Sequence, residues 1–218
     1  DVRDEKAAIH MAQAYSVFTG KVGVAIVTAG PGVTNTVTGI ANAYLSSTPL
    51  LLIGGCTPTA QTNMGPLQDI PHVDILKPIT KYSRTARVPE QLIRELDLAY
   101  SYAIGSFGDS GPSYFEVPTD ILREEVRKKM ILDEWIEKKY LYKIYPNPDD
   151  IKKAIKSIKN SQKPLIITGR GAVKCEKTII RLINKFDIPY LDTQDSRGVV
   201  PQANSNNIYA ARSKVIAE

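Results

Sequence analysis

Apolar residues recur along the chain in two alternating patterns, one typical of helices and the other typical of buried strands. In residues 5–18 they return about every 3.6 positions, which predicts a helix with one inward stripe. That stripe comprises Ala8, Met11, Ala12, Tyr15 and Phe18. Gly20 follows as a left-handed cap. Residues 22–28 (VGVAIVT) are apolar and β-branched, which predicts a strand covered on both faces.

The same alternation continues as far as residue 120. It predicts helices at 34–45, 73–76 and 89–106, and strands at 50–53, 82–87 and 114–117. Helices that alternate with apolar strands favour a largely parallel sheet. We therefore predict an α/β fold, a parallel sheet flanked by helices on both faces.

Residues 123–148 interrupt this pattern with two clusters of charge and a Tyr-Pro-Asn-Pro turn, as expected of a linker. A second α/β pattern follows, with helices at 149–160 (capped by Asp149) and 178–186 and strands at 165–168 and 189–191. We predict a first α/β domain at 1–122 without its start, a linker at 123–148, and the first part of a Rossmann-like domain at 149–218. Because the sequence opens almost directly into a helix, lacks an initial Met and stops within another helical pattern, we interpret it as a fragment of a longer protein.

Composition excludes several classes of protein. The 218 residues are 43% hydrophobic and 23% charged, unlike a disordered chain, a collagen-like fibre or a disulfide-rich miniprotein. No apolar stretch approaches the roughly 18–20 residues of a membrane span. The two cysteines are far apart and favour a reducing compartment, so we expect a cytoplasmic protein.

Charge is distributed unevenly between the two halves. Residues 1–120 carry 8 basic and 11 acidic residues, whereas residues 121–218 carry 20 and 12. A basic half could meet phosphates of a nucleotide or a nucleic acid, or form an ordinary solvated lysine-rich surface. Tyr140, Tyr142 and Tyr145 beside Lys143 give only a faint version of an aromatic and basic nucleic-acid surface, so we expect no nucleic-acid partner.

Candidate chemistry begins where the first predicted strand ends, since parallel α/β sheets bind ligands at the carboxyl ends of their strands. Gly30, Pro31 and Gly32 stand there with Asn35 close behind, and two glycines let a ligand approach the backbone. A structural turn explains the same residues. Other candidate groups are Glu5, which also suits the first turn of a helix, and Gln68, which is equally at home in a solvated loop.

Neither histidine suggests a metal or catalytic site. His10 and His72 lack the neighbouring cysteines or acidic residues of a metal centre, and we place His10 on a helix surface. The sequence contains no nucleophile elbow and no phosphate-binding loop of known pattern. We therefore predict no metal ligands in this chain.

Taken together, the motifs resemble those of thiamine-diphosphate enzymes of the acetolactate synthase and 2-hydroxyacyl-CoA lyase group. The similarity covers nearly the whole chain in fixed order. The segments that carry it are 4–8 (DEKAA), 11–12 (MA), Tyr15, 19–24 (TGKVGV), 27–35 (VTAGPGVTN), 39–44 (GIANAY), 48–50 (TPL), 67–68 (LQ), 77–81 (KPITK), 111–112 (GP) and 117–120 (VPTD).

This resemblance implies roles for the candidate residues. Glu5 would hydrogen-bond ring nitrogen N1′ of the coenzyme's aminopyrimidine from an apolar pocket that raises the pKa of its carboxyl. Gly30, Pro31 and Gly32 would face the pyrimidine, Asn35 would support that loop, and Gln68 would hydrogen-bond the substrate. Lys81 could meet a carboxylate or phosphate, or form a salt bridge.

The resemblance also implies a domain plan and partners. The chain would be most of a pyrimidine-binding domain followed by the first part of a central domain, which binds FAD, ADP or nothing in different relatives. The diphosphate and its Mg²⁺ would be held by a third domain that this chain lacks, in a homodimer or homotetramer. The fragment alone would then be inactive.

The implied function is that of a thiamine-diphosphate-dependent carbon–carbon lyase or carboligase acting on 2-keto acids or 2-hydroxyacyl-CoA. Residues 197–201 (RGVVP) and 210–213 (AARS) look most like the 2-hydroxyacyl-CoA and oxalyl-CoA lyase branch. The loop 63–68 (NMGPLQ) resembles acetolactate synthase-like lyases and benzaldehyde lyase, with Pro66, Leu67 and Asp69 replacing the Ala, Phe and Glu of true acetolactate synthases. A non-catalytic, nucleotide-binding relative of the same fold is the alternative.

Overall fold

A computed structural model describes residues 1–125 and 145–208 and divides the chain into two compact units, Asp1–Lys143 and Ile144–Glu218. The first unit contains a four-stranded sheet with the order β1-β2-β4-β3, and all its neighbouring strands are parallel. Its helices and strands are α1 (Glu5–Thr19), β1 (Gly23–Val27), α2 (Pro31–Thr34), α3 (Val37–Leu45), β2 (Leu50–Cys56), α4 (His72–Leu76), β3 (Tyr82–Thr85), α5 (Leu92–Ile104), β4 (Pro112–Pro118) and α6 (Thr119–Arg123). The predicted α/β fold with a parallel sheet is confirmed.

The register of the sheet brings the carboxyl ends of three strands together. Glu116 of β4 lies beside Gly54 of β2 on one side and Thr85 of β3 on the other. The chain leaves β1 at Val27, beside Gly54, and enters the Gly30 turn. Loops that carry the candidate residues therefore gather at one edge of the sheet.

Each face of the sheet has its own apolar cluster. One cluster, against α1 and α3, consists of Ile9, Ala12, Ala25, Val27, Val33, Ile40, Ala43, Leu50, Leu52, Leu76 and Tyr114. The other, against α5, consists of Val22, Leu51, Ala86, Ala99, Ala103, Phe115, Val117 and Ile121. Every residue of β4 is buried. The strand at 22–28 that was predicted to be covered on both faces is β1, and there the prediction is wrong: Val24 is 52% and Ile26 73% exposed. β1 is an edge strand of this sheet, and only one of its faces is packed in this chain.

The inward stripe predicted for helix α1 is correct for Ala8 and Ala12, which pack against the core, and wrong for its other members. Ile9, Ala12 and Ser16 are its buried residues, whereas Met11 is 62% and Phe18 87% exposed. Two interleaved stripes both satisfy a helical period, and close packing against the backbone at Gly23 and Gly39 selects the Ile9 stripe. The predicted cap is confirmed, because Gly20 adopts the left-handed conformation.

The predicted helix at 34–45 is two helices, with a break between α2 and α3. The hydroxyl of Thr36, which is buried, donates a 2.6 Å hydrogen bond to the Val33 carbonyl. Such local side-chain bonds compete with the helical backbone pattern. The break leaves Asn35 at the carboxyl end of α2, where its side chain is exposed.

The second unit contains α7 (Pro148–Asn160), β5 (Ile166–Thr168), α8 (Glu176–Phe186) and β6 (Tyr190–Asp192), and its two strands are parallel. Asn147, rather than the predicted Asp149, caps α7, because Pro148 takes the first helical position and the Asn147 side chain accepts from the Asp149 amide. Most of the predicted linker, Tyr140, Tyr142 and Lys143, and residues 210–213 lie outside the described residues. Within the described ranges, no helix is long and apolar enough to cross a membrane.

Candidate active site

The start of α1 and the end of α2 bring two of the predicted site residues into contact. Glu5 is the first residue of α1, immediately after the capping residue Asp4. The side-chain amide of Asn35 donates a 3.0 Å hydrogen bond to Oε2 of Glu5. The helix start presents the carboxyl and the α2–α3 break presents the amide, so backbone geometry at both ends orients the pair.

The expectation of a raised pKa for Glu5 is wrong for this chain. The hydrogen bond from Asn35, followed by one from the residue's own backbone, lowers the pKa of the Glu5 carboxyl, and partial desolvation opposes them more weakly. Both donors stabilise the ionised form. Glu5 is half-exposed here, so the burial on which the prediction depended is absent from this surface of the chain.

Two glycines of the Gly30–Gly32 turn allow close packing beside this pair. A Cβ atom on Gly32 would lie 2.6 Å from Cγ2 of Thr28 and 3.8 Å from Oε1 of Glu5. Gly30 has a φ of +62°, and a Cβ atom there would lie 2.7 Å from Cβ of Gln68. Pro31 is exposed between them as the first residue of α2. The turn therefore joins the Glu5 carboxyl on one side to Gln68 on the other.

The position of Gln68 is fixed by hydrogen bonds within the loop that contains it. The carboxylate of Asp69, the next residue, accepts hydrogen bonds from the Thr57 hydroxyl and from the backbone N–H of Asn63, each 3.2 Å long. Gln68 itself has a φ of +66°, an uncommon conformation for a residue with a side chain. Its side chain is half-buried against Gly30.

Lys81 contacts an aromatic ring, which neither predicted role (binding a carboxylate or phosphate, or forming a salt bridge) included. Its Nζ atom lies 5.2 Å from the centroid of the Tyr44 ring, within the range of a cation–π interaction. Its carbon chain passes over Gly111, where a Cβ atom would lie 2.8 Å from Cε of the lysine. Lys81 is thus packed between α3 and the start of β4 in this chain.

A buried hydrogen-bond network that the sequence analysis missed lies directly behind the Gly30 turn. The backbone N–H of Gly30 donates to Nε2 of His72 at 2.7 Å, and Nδ1 of His72 lies 2.9 Å from Oε2 of Glu116. The hydroxyls of Tyr114 and Thr85 both donate to the Glu116 carboxylate at 2.6 Å. His72 and Glu116 are 2% and 6% exposed.

One signal in the sequence could have found this network. Glu116 is a charged residue in the apolar stretch Tyr114–Val117, which was correctly predicted to be a strand and whose residues are all buried. Acidic residues are almost never fully buried without partners. A buried acid in β4 therefore required hydrogen-bond donors, although the sequence could not identify them.

The network also forms part of the wall of a cavity of about 530 Å³ at the carboxyl ends of β2, β3 and β4. Residues that line it include Cys56, Thr57, Asn63, Asp69, His72 and Glu116. Among the described residues, no group of three or more His, Cys, Asp or Glu side chains is arranged to hold a metal ion.

Comparison with known families identifies the family to which the chain belongs. Residues 1–76 match the family model for the N-terminal TPP binding domain of thiamine pyrophosphate enzymes, and residues 151–214 match the model for their central domain. The chain belongs to the thiamine pyrophosphate enzyme family. The resemblance drawn from its motifs is confirmed, and Glu5, the Gly30–Gly32 turn, Asn35 and Gln68 all lie within the region that matches the N-terminal TPP binding domain.

Relatives of this thiamine pyrophosphate enzyme chain fall in the two predicted branches. It is 31% identical to the acetolactate synthase large subunit of Haemophilus influenzae over 206 residues, which are 93% of this chain and 36% of that protein. It is 30% identical to 2-hydroxyacyl-CoA lyase 1 of Homo sapiens over 223 residues (99% and 37%), and 31% identical to 2-hydroxyacyl-CoA lyase of Saccharomyces cerevisiae over 221 residues (98% and 39%). The chain thus spans less than two-fifths of the length of these relatives.

Proposed function

We propose that this chain forms the pyrimidine-binding side of a thiamine-diphosphate-dependent carbon–carbon lyase or carboligase. The observation that carries the proposal is the Glu5 carboxyl, which Asn35 orients beside the backbone of the Gly30–Gly32 turn. A flat ring can approach the backbone of glycine-containing turns closely, and here a hydrogen-bonding group lies beside such a turn. The residues therefore fit the aminopyrimidine of the coenzyme.

Glu5 is the acid–base group of this proposal. Bound thiamine diphosphate supplies a carbon centre that stabilises negative charge during cleavage of a carbon–carbon bond. In the chain alone, the lowered pKa keeps Glu5 ionised at neutral pH. A ring seated on the Gly30–Gly32 turn would exclude water from the carboxylate and raise its pKa, so that Glu5 could hold a proton against ring nitrogen N1′.

The surrounding residues shape the place where this would happen. Gly30 and Gly32 would form the floor under the ring, and Pro31, which is exposed, would lie at its edge. Gln68, held against Gly30 by the loop, would point its amide towards the substrate and stabilise a developing alkoxide. We place the diphosphate and Mg²⁺ on a part of the protein outside this chain.

The substrate class follows from the relatives. Their names are those of acetolactate synthases and 2-hydroxyacyl-CoA lyases, which supports an enzyme over a non-catalytic nucleotide-binding relative. We propose that the whole protein acts on a 2-keto acid or a 2-hydroxyacyl-CoA, as a cytoplasmic homodimer or homotetramer. Its central domain would take FAD, ADP or no ligand. Residues 1–122 would be the pyrimidine-binding domain, 123–148 the linker and 149–218 the first part of the central domain.

The test of this proposal is Glu5→Gln in the complete protein. We expect it to slow exchange of the C2 proton of bound coenzyme by about 100-fold or more, since an amide cannot exchange a proton with the ring. Exchange is followed by NMR in deuterated buffer, and coenzyme affinity is measured in parallel. Glu90→Gln, which changes an exposed glutamate far along the sequence, is the matched control. Unchanged exchange in the Glu5 variant would refute the assignment.

Two substrates separate the two branches. The complete protein is assayed with pyruvate, for which an acetolactate synthase forms acetolactate, and with a 2-hydroxyacyl-CoA, which a lyase cleaves. Turnover of the thioester alone would place the protein in the lyase branch, and turnover of pyruvate alone in the synthase branch. Turnover of neither, with coenzyme bound, would favour the non-catalytic alternative.

A further inference from the structure

His72 connects the Gly30 turn to a buried charge in the sheet. It is the first residue of α4, with its ring between the turn and β4. Nε2 accepts the Gly30 N–H at 2.7 Å, and Nδ1 meets Oε2 of Glu116 at 2.9 Å. Both ring nitrogens therefore have partners, and the ring itself is only 2% exposed.

The chemistry of these partners determines where the protons are. A backbone N–H can only donate, so Nε2 of His72 must present its lone pair to Gly30. The single proton of the neutral ring is then on Nδ1 and is donated to Glu116. Since Tyr114 and Thr85 also donate to Glu116, that carboxylate receives three hydrogen bonds. Hydrogen bonds of this number stabilise an ionised, buried carboxylate.

From this arrangement we propose that His72, neutral and protonated on Nδ1, is the positioning residue that holds the Gly30 turn in its coenzyme-binding shape. Gly30 has a φ of +62° and a ψ of −123°, a conformation open to glycine but strained for other residues. Its N–H would otherwise be a buried donor without a partner, which costs free energy. Glu116 orients the ring, and the ring in turn anchors the turn.

The fixed position of Gly30 also limits where Gln68, on the proposed substrate side of the site, can lie. Its Cα face packs against Gln68, where even a single added Cβ atom would lie 2.7 Å from Cβ of that glutamine. One imidazole therefore sets both the floor of the pyrimidine site and the wall that carries Gln68. The claim that the turn binds the coenzyme rests on the proposed function. The protonation state of His72 is independent of that function.

The first test is a spectroscopic one on the 218-residue chain, which contains only two histidines. With ¹⁵N-labelled histidine, a His10→Gln variant leaves one ring in the spectrum, because His10 is the exposed histidine of α1. We expect a neutral ring protonated on Nδ1, and a scalar coupling between the Gly30 amide nitrogen and Nε2. A ring protonated on Nε2, or on both nitrogens at neutral pH, would overturn the proposal.

The second test compares two amides at position 72 in the complete protein. In His72→Gln the side-chain oxygen reaches the former place of Nε2 and can accept from Gly30, whereas His72→Asn is one carbon shorter and reaches only the place of Nδ1. We expect coenzyme affinity within about 3-fold of wild type for Gln and about 10-fold or more weaker for Asn, the size of one lost buried hydrogen bond.

Equal affinity of the two variants would overturn the positioning role. Both replace the ring by an amide of similar polarity, so a general loss of stability would affect both. The Glu5→Gln test is read separately from this comparison. A wild-type protein that binds no coenzyme would refute the proposed function. The NMR test of the proton on Nδ1 would then be the test that decides whether His72 holds the turn.

Discussion

Asn35 donates a 3.0 Å hydrogen bond to the carboxylate of Glu5, a residue thirty positions earlier in the sequence. The bond joins the first turn of α1 to the break between α2 and α3. It lowers the pKa of Glu5 more than any other contact of that carboxyl. The proposed acid–base group is thus already oriented before any ligand arrives.

Replacing Asn35 by Ala should raise the pKa of Glu5 towards the ordinary value of a glutamate. The lost bond favours the ionised carboxylate, so its removal makes protonation easier. Because the folded pKa lies below the unfolded one, the stabilising contribution of the bond is present at neutral pH and is lost as the pH falls through the folded pKa. Titration of the side-chain carboxyl by ¹³C NMR measures the change.

The control for this change is Asn42→Ala. Asn42 is also an exposed asparagine, and its amide donates to Gln13 rather than to a carboxylate. We expect it to leave the Glu5 titration where it is in the wild-type chain. A Glu5 titration that moves equally in both variants would mean that the Asn35 bond is not its cause.

Replacing Gly23 by Ala should destabilise the first unit by about 1–3 kcal/mol or more, the usual cost of overpacking. A Cβ atom there would collide with the backbone carbonyl of Ala12 in α1, and backbone atoms cannot turn aside as side chains can. The expected result is a lower midpoint of urea unfolding. Gly55→Ala is the matched control, because the nearest atom to a Cβ there is 3.7 Å away. Equal losses would show that α1 can move away from β1.

Cys56 should resist alkylation in the folded chain. Burial, followed by the charges of Glu116, Asp120 and Asp69, raises the pKa of the Cys56 thiol to about 12. At pH 8 only about one thiol in ten thousand would then be the reactive thiolate. Cys175 is exposed. Iodoacetamide should therefore modify Cys175 first, as mass spectrometry of proteolytic fragments would show.

Two further conditions complete the cysteine test. In urea both thiols should react at similar rates, because unfolding removes the burial that protects Cys56. In the folded chain, raising the pH should accelerate modification of Cys56 as its thiolate fraction grows. Rapid labelling of Cys56 at pH 8 without denaturant would contradict the raised pKa.

Local patterns were sufficient for the order of the elements. The β-branched residues of 22–28 and the helical period of 5–18 depend only on neighbours in sequence, and both elements are present. Where two stripes of one helix both satisfied the helical period, the sequence could not show which would be buried. Of the stripe expected to face inward, Ala12 is buried but Met11 and Phe18 are exposed, and packing against Gly23 and Gly39 buries Ile9.

Local sequence patterns could not predict the hydrogen bonds of the candidate site. Glu5 and Asn35 were both candidates, but nothing local showed that they touch or that the contact would lower a pKa. His72 appeared to be an ordinary histidine because its partners, Gly30 and Glu116, are 42 and 44 residues away.

The sequence by itself determined the alternation of helices and strands, the parallel sheet, the membership of a coenzyme-binding family and the position of the Gly30–Gly32 turn. Only the tertiary structure decided which face of α1 is buried, that Glu5 is oriented by Asn35, and that His72 and Glu116 support the turn. Periodicity and turn residues act over a few neighbouring positions. Proton positions and pKa values depend instead on distances between atoms that folding alone brings together.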